Sequence, residues 1–367
     1  MPPCIGQRIC KAERFPASHP IYAAERGAGF PPSRGRCGAG RGPIILLPVD
    51  AADLLRINLL SPMVLAFALG IGAGVLKSDL KLPEPVYAGL SIYLLLGIGL
   101  KGGAALSATP VATIFWPAVA TLVLGLLTPC VAYATLRALR FSVVDAAAVA
   151  AHYGSVSAVT FIASLTFLQA IGVRYEGFLP TLTTLLEVPG IVVALLLARR
   201  KLGGSLGEAL REILTGRSVL LLAGGLGIGF LSGEAGLKEV APFFVEPFKG
   251  ALTLFLLELG IVAAARLKDL RRVGGALIGF GIVVPIVHGA LGVLLGTWAG
   301  LSLGGSTVLG VMAASASYIA APAAVRLALP EANPTLYLTA SLGVTFPFNL
   351  GLGIPLFYQL ARWLHGG

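Results

Sequence analysis

Apolar residues fill runs of about 20 positions along most of the chain, and segments rich in Lys, Arg, Gly or Pro separate these runs. An α-helix of about 20 residues rises roughly 30 Å, which is the thickness of the hydrocarbon core of a bilayer. Short segments of alternating polarity, typical of membrane β-barrels, do not occur. The pattern predicts an all-α membrane protein with ten transmembrane helices, at about 58–76, 85–106, 109–136, 143–167, 179–198, 217–233, 246–266, 273–299, 305–327 and 334–363.

Composition agrees with a chain that crosses a lipid bilayer many times. Hydrophobic residues make up 56% of the sequence and charged residues 12%. A net charge of +10 suggests nucleic-acid binding in a soluble domain, but here the Lys and Arg residues lie in the loops between spans, where they act as topology signals. We therefore expect no nucleic-acid partner and a multi-pass protein of the inner (plasma) membrane. The side with more Lys and Arg is expected to be cytoplasmic, which leaves both termini outside.

The chain divides into four parts by composition. The first of them holds seven Lys and Arg against three acidic residues in its first 50 positions, with many Gly and Pro, and is expected to be disordered. The parts are a basic N-terminal tail at 1–55, a first five-helix repeat at 56–198, a cytoplasmic connector at 199–216 and a second five-helix repeat at 217–367.

The two halves carry similar segments in the same order. LLLGIGLKGGAAL near Leu94 resembles FLLELGIVAAARL near Phe255, and GSVS at Gly154 resembles ASAS at Ala314. LEVPG at Leu186 likewise parallels VTFPF at Val344. Because each half has an odd number of spans, the halves must lie upside down relative to one another. This predicts an inverted repeat, which is an architecture of secondary transporters.

The fourth and ninth spans contain the serine pairs together with residues that weaken helices, Gly154 in one and Pro322 in the other. Non-helical backbone at membrane depth is tolerated only against protein or a cavity. Where two discontinuous helices cross, their N-terminal N–H groups stabilise an anion, and serine hydroxyls can donate to it. The alternative is that small residues only allow close helix packing. The candidate anion ligands are Gly154, Ser155, Ser157, Thr160, Ser315, Ser317 and Tyr318.

Ionisable residues inside the spans are the candidates for a cation site, because a charge in hydrocarbon is costly. Glu187, close to Pro189, is the strongest candidate, either as a Na⁺ ligand or as a proton carrier, and its alternative is a buried hydrogen bond. Thr345 and Asn349 occupy the matching point of the second half and offer neutral oxygens. Glu258 is a weaker candidate. The chain also holds Lys101, His152 and His288 within spans, each of which can equally be structural.

Motifs for cofactors or catalysis are missing from the sequence. Gly97, Gly99 and Gly102 fit GxGxxG, but they lie inside a spanning helix with no strand before it. Neither a Walker motif nor a CxxC or Cys/His cluster is present. We therefore expect no cofactor and no metal other than Na⁺ as the coupling ion, and no enzymatic activity. An intramembrane hydrolase using Ser155 or His288, and a receptor, are the less favoured classes.

Several segments together make the chain resemble the sodium-dependent bicarbonate permease family, from about Ser61 to Leu364. The resemblance is carried by SPMVLAFALGIGAG, LLLGIGLKGG, GSVSAVTF, LEVPG, PIVHG, SLGGSTVLGVMAASAS, ALPEANPTLYL and GIPLFYQLA. It implies a ten-span carrier in which the crossing spans four and nine hold the site, Na⁺-driven bicarbonate import, assembly as a homotrimer and a small cytoplasmic regulatory protein.

Two features of the sequence, one residue and one segment, depart from the pattern of that family. Tyr318 stands where the family usually has an acidic residue, and a phenol supplies no fixed negative charge. One fewer Na⁺ or a different substrate is then expected. The connector is short where known members carry a long hydrophilic insertion, which weakens the expectation of a regulatory partner.

The function indicated is a sodium-coupled symporter that imports bicarbonate or a similar small anion by alternating access. The alternatives on the same scaffold are a small organic-acid symporter and a sodium/proton antiporter.

Overall fold

The computed structural model of the protein describes residues 51–198 and 205–366, and none of these residues forms a β-strand. The predicted tail up to residue 50 and residues 199–204 of the connector lie outside the described residues. The helices of the first part are α1 Ala51–Leu59, α2 Pro62–Val75, α3 Glu84–Ser107, α4 Val111–Ala138, α5 Val143–Tyr153, α6 Ala158–Ala170, α7 Leu179–Glu187 and α8 Pro189–Leu197.

The remaining helices begin with one in the connector. They are α9 Leu206–Thr215, α10 Arg217–Phe244, α11 Phe248–Leu267, α12 Leu270–Trp298, α13 Leu303–Ala314, α14 Ala320–Ala328, α15 Pro334–Leu338, α16 Phe346–Phe348 and α17 Ile354–Leu364. Two π-helical segments, Thr339–Thr345 and Asn349–Gly353, join α15 to α16 and α16 to α17. The described residues pack as one unit rather than as two separate repeats.

Among the described residues, eight helical segments are long and apolar enough to cross a membrane, and nine if the bent pair α1 and α2 is one span. This count confirms a multi-pass helical membrane protein but not all ten predicted spans. The predicted ninth span is not among the segments counted, because the five non-helical residues 315–319 divide it into α13 and α14, neither of which is longer than 12 residues. The ten-span inverted repeat therefore stays a prediction.

The boundaries of the first predicted span and of the tail need correction. Residues 51–55, which we expected to be disordered, belong to α1, and α1 meets α2 at an angle of 60°. Ser61 caps the start of α2, because its side chain accepts a hydrogen bond from the N–H of Val64. Pro62, the first residue of α2, suits this position since it has no N–H to satisfy. Asn58 fixes α1 by donating to the carbonyl of Leu350 at 2.7 Å.

Other boundaries follow glycines that leave the helical conformation. The span predicted at 217–233 ends where Gly233 adopts φ +62° within α10, and the span predicted at 273–299 begins at Gly274, with φ +80°. Only glycine adopts such angles at little cost. After Gly233 the rest of α10 turns back, which brings Phe243 and Phe244 against Tyr93 of α3.

Two pairs of parallel helices contact each other backbone to backbone. In α2 and α11, Gly70 lies on Gly260, so that a Cβ at Gly70 would stand 2.0 Å from the carbonyl oxygen of Leu257. In α3 and α10, Gly99 lies on Gly225 in the same way. Such contacts between small residues are how membrane helices associate closely without a hydrophobic driving force.

The remaining long helices enclose the interrupted ones. The most apolar stretch of 18 residues within Val143–Ala170 is wholly buried inside the protein. Every residue from Gly304 to Ala314 is buried as well. Helices α4 and α8 cover α5, while α12 and α17 cover α13. The connector helix α9 packs on α14. The serine segments are therefore surrounded by protein rather than lipid.

Candidate functional site

The first interruption separates α5 from α6. The N–H of Gly154 closes α5 on the carbonyl of Ala150, and Ser155 and Val156 are not helical. Ser157 then begins α6 in an extended conformation, and its Oγ accepts hydrogen bonds from both N and Oγ1 of Thr160. A serine at this position is the usual N-cap. The break predicted at Gly154 is present.

The second interruption separates α13 from α14. Ser315 leaves the helix with extended backbone angles, and its Oγ donates to the carbonyl of Met312 at 2.7 Å. The Oγ of Ser317 accepts from the N–H of Ala321 at 3.3 Å. The predicted breaker Pro322 does not lie in the gap, since it is the third residue of α14. The gap is instead set by Ser315, whose side chain replaces a helical bond of the backbone.

The two interruptions contact each other directly. The N–H of Ser157 donates to Oγ of Ser315 at 2.9 Å, and the N–H of Ser317 donates to the carbonyl of His152 at 2.8 Å. All of these groups are buried. Each gap thus satisfies a main-chain amide of the other, which fixes their relative position.

Other amides at the interruptions have no partner. No hydrogen bond involving a described residue uses the N–H of Ala158 or Val159 in the first turn of α6, or that of Ala320 in α14. Val159 is buried. A helix N-terminus concentrates partial positive charge on such groups, so they are the donors available to a bound anion.

Glu187 lies beside the first interruption, at the last residue of α7. Its carbonyl accepts a hydrogen bond from Oγ of Ser155 at 2.9 Å. The side chain is 3% exposed, and its Oε2 has no hydrogen-bond partner among the described residues. A buried carboxylate without a partner needs a cation or a proton. Among the described residues, Glu187 therefore provides the one acidic side chain that lies at the two gaps.

A close backbone contact places α8 against the first gap. A Cβ on Gly190 would stand 1.8 Å from the carbonyl oxygen of Gly154, and a Cβ on Gly154 would meet Pro129 and Gly190 below 3.0 Å. Both glycines are needed for this approach, whatever their backbone angles. Sequence reasoning assigned Gly154 to the site but missed Gly190.

The gaps surround a cavity of about 10 Å³, which is enough for about one water molecule. The described state is therefore closed around the candidate site. Ser218, the second residue of α10, is buried, and it lines both this cavity and one of about 230 Å³ toward α9. Sequence reasoning did not select Ser218, although a serine in the first turn of an apolar span was a usable signal. The small cavity is lined by Val156, Ser157, Ala158, Glu187, Ser218, Ser317, Tyr318 and Ile319.

Tyr318 faces the same small cavity. Its hydroxyl is buried near Ser157, but no hydrogen bond of acceptable geometry joins them. The ring packs edge-on against Phe346 at 5.5 Å between centroids. A free phenol hydroxyl can donate to an anion but cannot replace the charge of a carboxylate.

Thr345 and Asn349, predicted as cation ligands with Glu187, do not line the small cavity. Thr345 donates to the carbonyl of Gly281 at 2.7 Å and lies 2.6 Å from the hydroxyl of Tyr153. Asn349 donates from Nδ2 to the carbonyl of Ala314 at 2.7 Å, while its Oδ1 has no partner. The two residues hold the last residues of α5 and α13, in a region that is π-helical. Such segments occur frequently near functional sites.

The other ionisable residues of the spans have separate surroundings. Glu258 accepts from the N–H of Leu82 at 2.8 Å, so it ties α11 to the loop before α3. His152 bonds to the carbonyl of Ala148 through Nδ1 and stacks on Tyr337. Neither ring nitrogen of His288 has a partner. Within residues 51–198 and 205–366, no three His, Cys, Asp or Glu side chains come together as a metal site.

An all-helical fold with many apolar spans and two buried interruptions that meet is that of a polytopic membrane transporter rather than an enzyme. The sequence model of the Na⁺-dependent bicarbonate transporter superfamily matches residues 62–362, and the chain belongs to that superfamily. This match confirms the resemblance stated from the motifs. A search of the curated proteins gives no match to the chain.

Proposed function

We propose that the protein is a Na⁺-coupled symporter that moves bicarbonate across the membrane. The observation that carries this proposal is the position of two unlike kinds of group around one small cavity. Unused N–H groups of α6 can bind an anion, and the unpartnered oxygen of Glu187 can bind a cation. A site that suits both ions at once gives coupling, because each ion stabilises the state that binds the other.

In the proposed mechanism Na⁺ binds first, next to Glu187. It offsets the negative charge that would otherwise repel bicarbonate, which then binds at the start of α6 between Ser157 and Ser317. The hydroxyl of Tyr318 is a further donor to the anion, and that of Ser155 becomes one when it leaves the carbonyl of Glu187. Thr160 and Ser315 keep Ser157 in position through their hydrogen bonds to it. With Tyr318 in place of an acid, a single acidic side chain at the site favours a low Na⁺ stoichiometry.

We also propose that the chain forms ten spans as two inverted repeats, and that alternating access comes from motion between two groups of helices, each of which contains helices of both repeats. The contacts support this reading. Helix α2 pairs with α11 and α3 with α10. The first span of each half therefore packs against the second span of the other half, as an inverted repeat predicts. The α4 contacts to α5 and α8 correspond to the α12 contacts to α13 and the π-helical segment Thr339–Thr345. Alternating access then amounts to motion of the α2, α3, α10 and α11 group along the rest.

Uptake by proteoliposomes tests the function. The full chain is reconstituted in lipid vesicles, and entry of labelled bicarbonate is followed with an inward Na⁺ gradient or an equal K⁺ gradient. We expect uptake only with Na⁺, and Na⁺ entry that requires bicarbonate. Uptake that is the same in Na⁺ and K⁺ would reject the coupling.

A sodium/proton antiporter is the second candidate, because a buried carboxylate without a partner is also a proton carrier. This reading predicts Na⁺-driven proton flux without bicarbonate, measured with a pH-sensitive dye inside the same vesicles. Competition by acetate or another small carboxylate, with labelled bicarbonate as the reference, separates an organic-acid symporter from a bicarbonate symporter.

A further inference from the structure

A second cavity, of about 380 Å³, lies between α3, α6, α7 and α11, on the side of the protein where α3 and α6 end and α11 begins. We call it the lysine cavity because Lys101 and Lys249 are its charged lining residues. The candidate site at the helix interruptions shares none of its lining residues. The cavity is lined by Ile98, Lys101, Ala105, Ile162, Leu165, Thr166, Gln169, Tyr175, Gly177, Pro180, Val245, Phe248 and Lys249.

The two ammonium groups have no acidic partner among the described residues. Lys101 is half-buried in α3 and lies over the ring of Phe248, 3.8 Å from its centroid, while Lys249 is exposed. Both lysines line the same cavity, so that their positive charges repel each other. Two like charges at one apolar cavity destabilise each other unless an anion lies between them.

Acidic side chains near the cavity do not offset these charges. Glu176, between the lining residues Tyr175 and Gly177, turns its carboxylate to Ser302, with bonds of 2.6 Å to N and 3.1 Å to Oγ. Glu246, next to the lining residue Val245, is exposed and forms no ion pair with Lys101 or Lys249. Polar lining groups add to the binding capacity, since Gln169 donates to the hydroxyl of Tyr175 and leaves that hydroxyl's proton for a ligand.

Helix α6 connects the cavity with the interruptions. Ile162, which lines the cavity, is about 7.5 Å along the helix axis from Ser157 at the first gap. Lys249 and Thr166 also line a neighbouring cavity of about 230 Å³, which lies toward α1 and α2. An anion held by the lysines is thus within a few turns of the proposed transport site.

We propose that the lysine cavity is a second anion-binding site, which captures a small oxyanion from water through Lys101 and Lys249 before it reaches the helix interruptions. The capture of the anion for transport rests on the proposed function, whereas its binding at the two lysines does not. Clefts lined by one sign of charge raise the local concentration of counter-ions by about 10-fold to 1,000-fold.

Transport kinetics test the capture role. In vesicles of neutral phosphatidylcholine and phosphatidylethanolamine, K249Q and the double variant K101Q/K249Q are expected to raise the KM for bicarbonate, by about 10-fold in the double variant, with the maximal rate unchanged. K249R keeps the charge and should keep the wild-type KM. The matched control is K238Q, whose lysine is exposed, outside the cavity and paired with Glu234. An unchanged KM in K249Q and in the double variant would overturn the proposal. If K101Q impairs folding, K249Q and K249R decide.

A binding measurement keeps the inference separate from transport. Lys249 of the purified full chain is modified with an amine-reactive reagent at fixed pH and ionic strength, and the extent is read by mass spectrometry. Replacing gluconate by bicarbonate should slow modification at least about threefold at Lys249 but not at Lys238. Equal rates would overturn the anion site. Protection that needs phosphatidylglycerol and ignores bicarbonate would identify a lipid headgroup instead, which also overturns it. If the wild type transports no bicarbonate, the proposed function fails, and protection of Lys249 still supports the site.

Discussion

The main-chain N–H of Ser157 donates a hydrogen bond to Oγ of Ser315, at 2.9 Å and across 158 positions of sequence. The donor begins α6, and the acceptor ends α13. The same hydroxyl donates to the carbonyl of Met312, so one serine satisfies polar groups of both interruptions. The two breaks are therefore mutually dependent, and a change in one should be felt in the other.

Replacement of Ser315 by Ala tests this dependence. The change leaves the buried N–H of Ser157 without its acceptor, which costs about 1–3 kcal/mol. We expect a lower midpoint of thermal unfolding in detergent and reduced bicarbonate uptake. The control is S164A, because Oγ of Ser164 only adds a bond to the carbonyl of Phe161 within α6. Equal stability of S315A and S164A would contradict the role given to Ser315.

Gly190→Ala tests the contact of α8 with the first gap. The added Cβ would overlap the carbonyl of Gly154, and neither group can move without shifting a helix. Overpacking of this kind costs about 1–3 kcal/mol, and uptake should fall strongly. G224A serves as the control, since a Cβ at Gly224 in α10 meets nothing within 4 Å. Wild-type uptake and stability in G190A would show that the contact is not needed.

Glu187→Gln tests the cation site. The neutral amide keeps the shape of the side chain but removes the charge, so the Na⁺ concentration for half-maximal uptake should rise at least about 10-fold, which corresponds to about 1.4 kcal/mol. E258Q is the matched control, because the amide oxygen can still accept from Leu82. A Na⁺ requirement that shifts equally in both variants would remove Glu187 from the site.

Tyr318→Phe separates anion from cation binding. The variant loses only the buried hydroxyl, which has no partner in the closed state. If that hydroxyl donates to bicarbonate, the KM for bicarbonate should rise about 10-fold or more, because a hydrogen bond to a charged group contributes about 1.5–3 kcal/mol. The half-saturating Na⁺ concentration should stay the same. A changed Na⁺ response with an unchanged KM would assign the phenol to the cation instead.

Local chemistry made much of this fold predictable. Apolar runs located most of the predicted spans to within a few residues, and the structure shows that Gly233 and Gly274 bound two of them. Gly154 and the serine pairs located both interruptions, since serine can cap a helix or replace a helical bond wherever it lies. Pro322 was a poorer guide, because proline is tolerated in the first turn of a helix and so need not break one.

The remaining features depend on contacts between distant segments. The assignment of Thr345 and Asn349 to a cation site assumed that matching positions in two repeats do matching work. In the fold their donor groups bond to the carbonyls of Gly281 and Ala314, and neither residue lines the small cavity, so the assignment stays a prediction. The approach of Gly190 to Gly154 and the presence of Ser218 at the cavity are likewise set by packing, which a single sequence does not reveal.

A structure of the full chain in lipid nanodiscs with Na⁺ and bicarbonate, compared with one in K⁺ and gluconate, tests the central claim most directly. We expect a density feature the size of bicarbonate at the start of α6, within hydrogen-bonding distance of Ser157 or Ser317. We also expect a Na⁺ density at the carboxylate of Glu187. Both should be missing from the K⁺ and gluconate structure. Identical density at the interruptions in the two conditions, with the gaps still closed on each other, would contradict it.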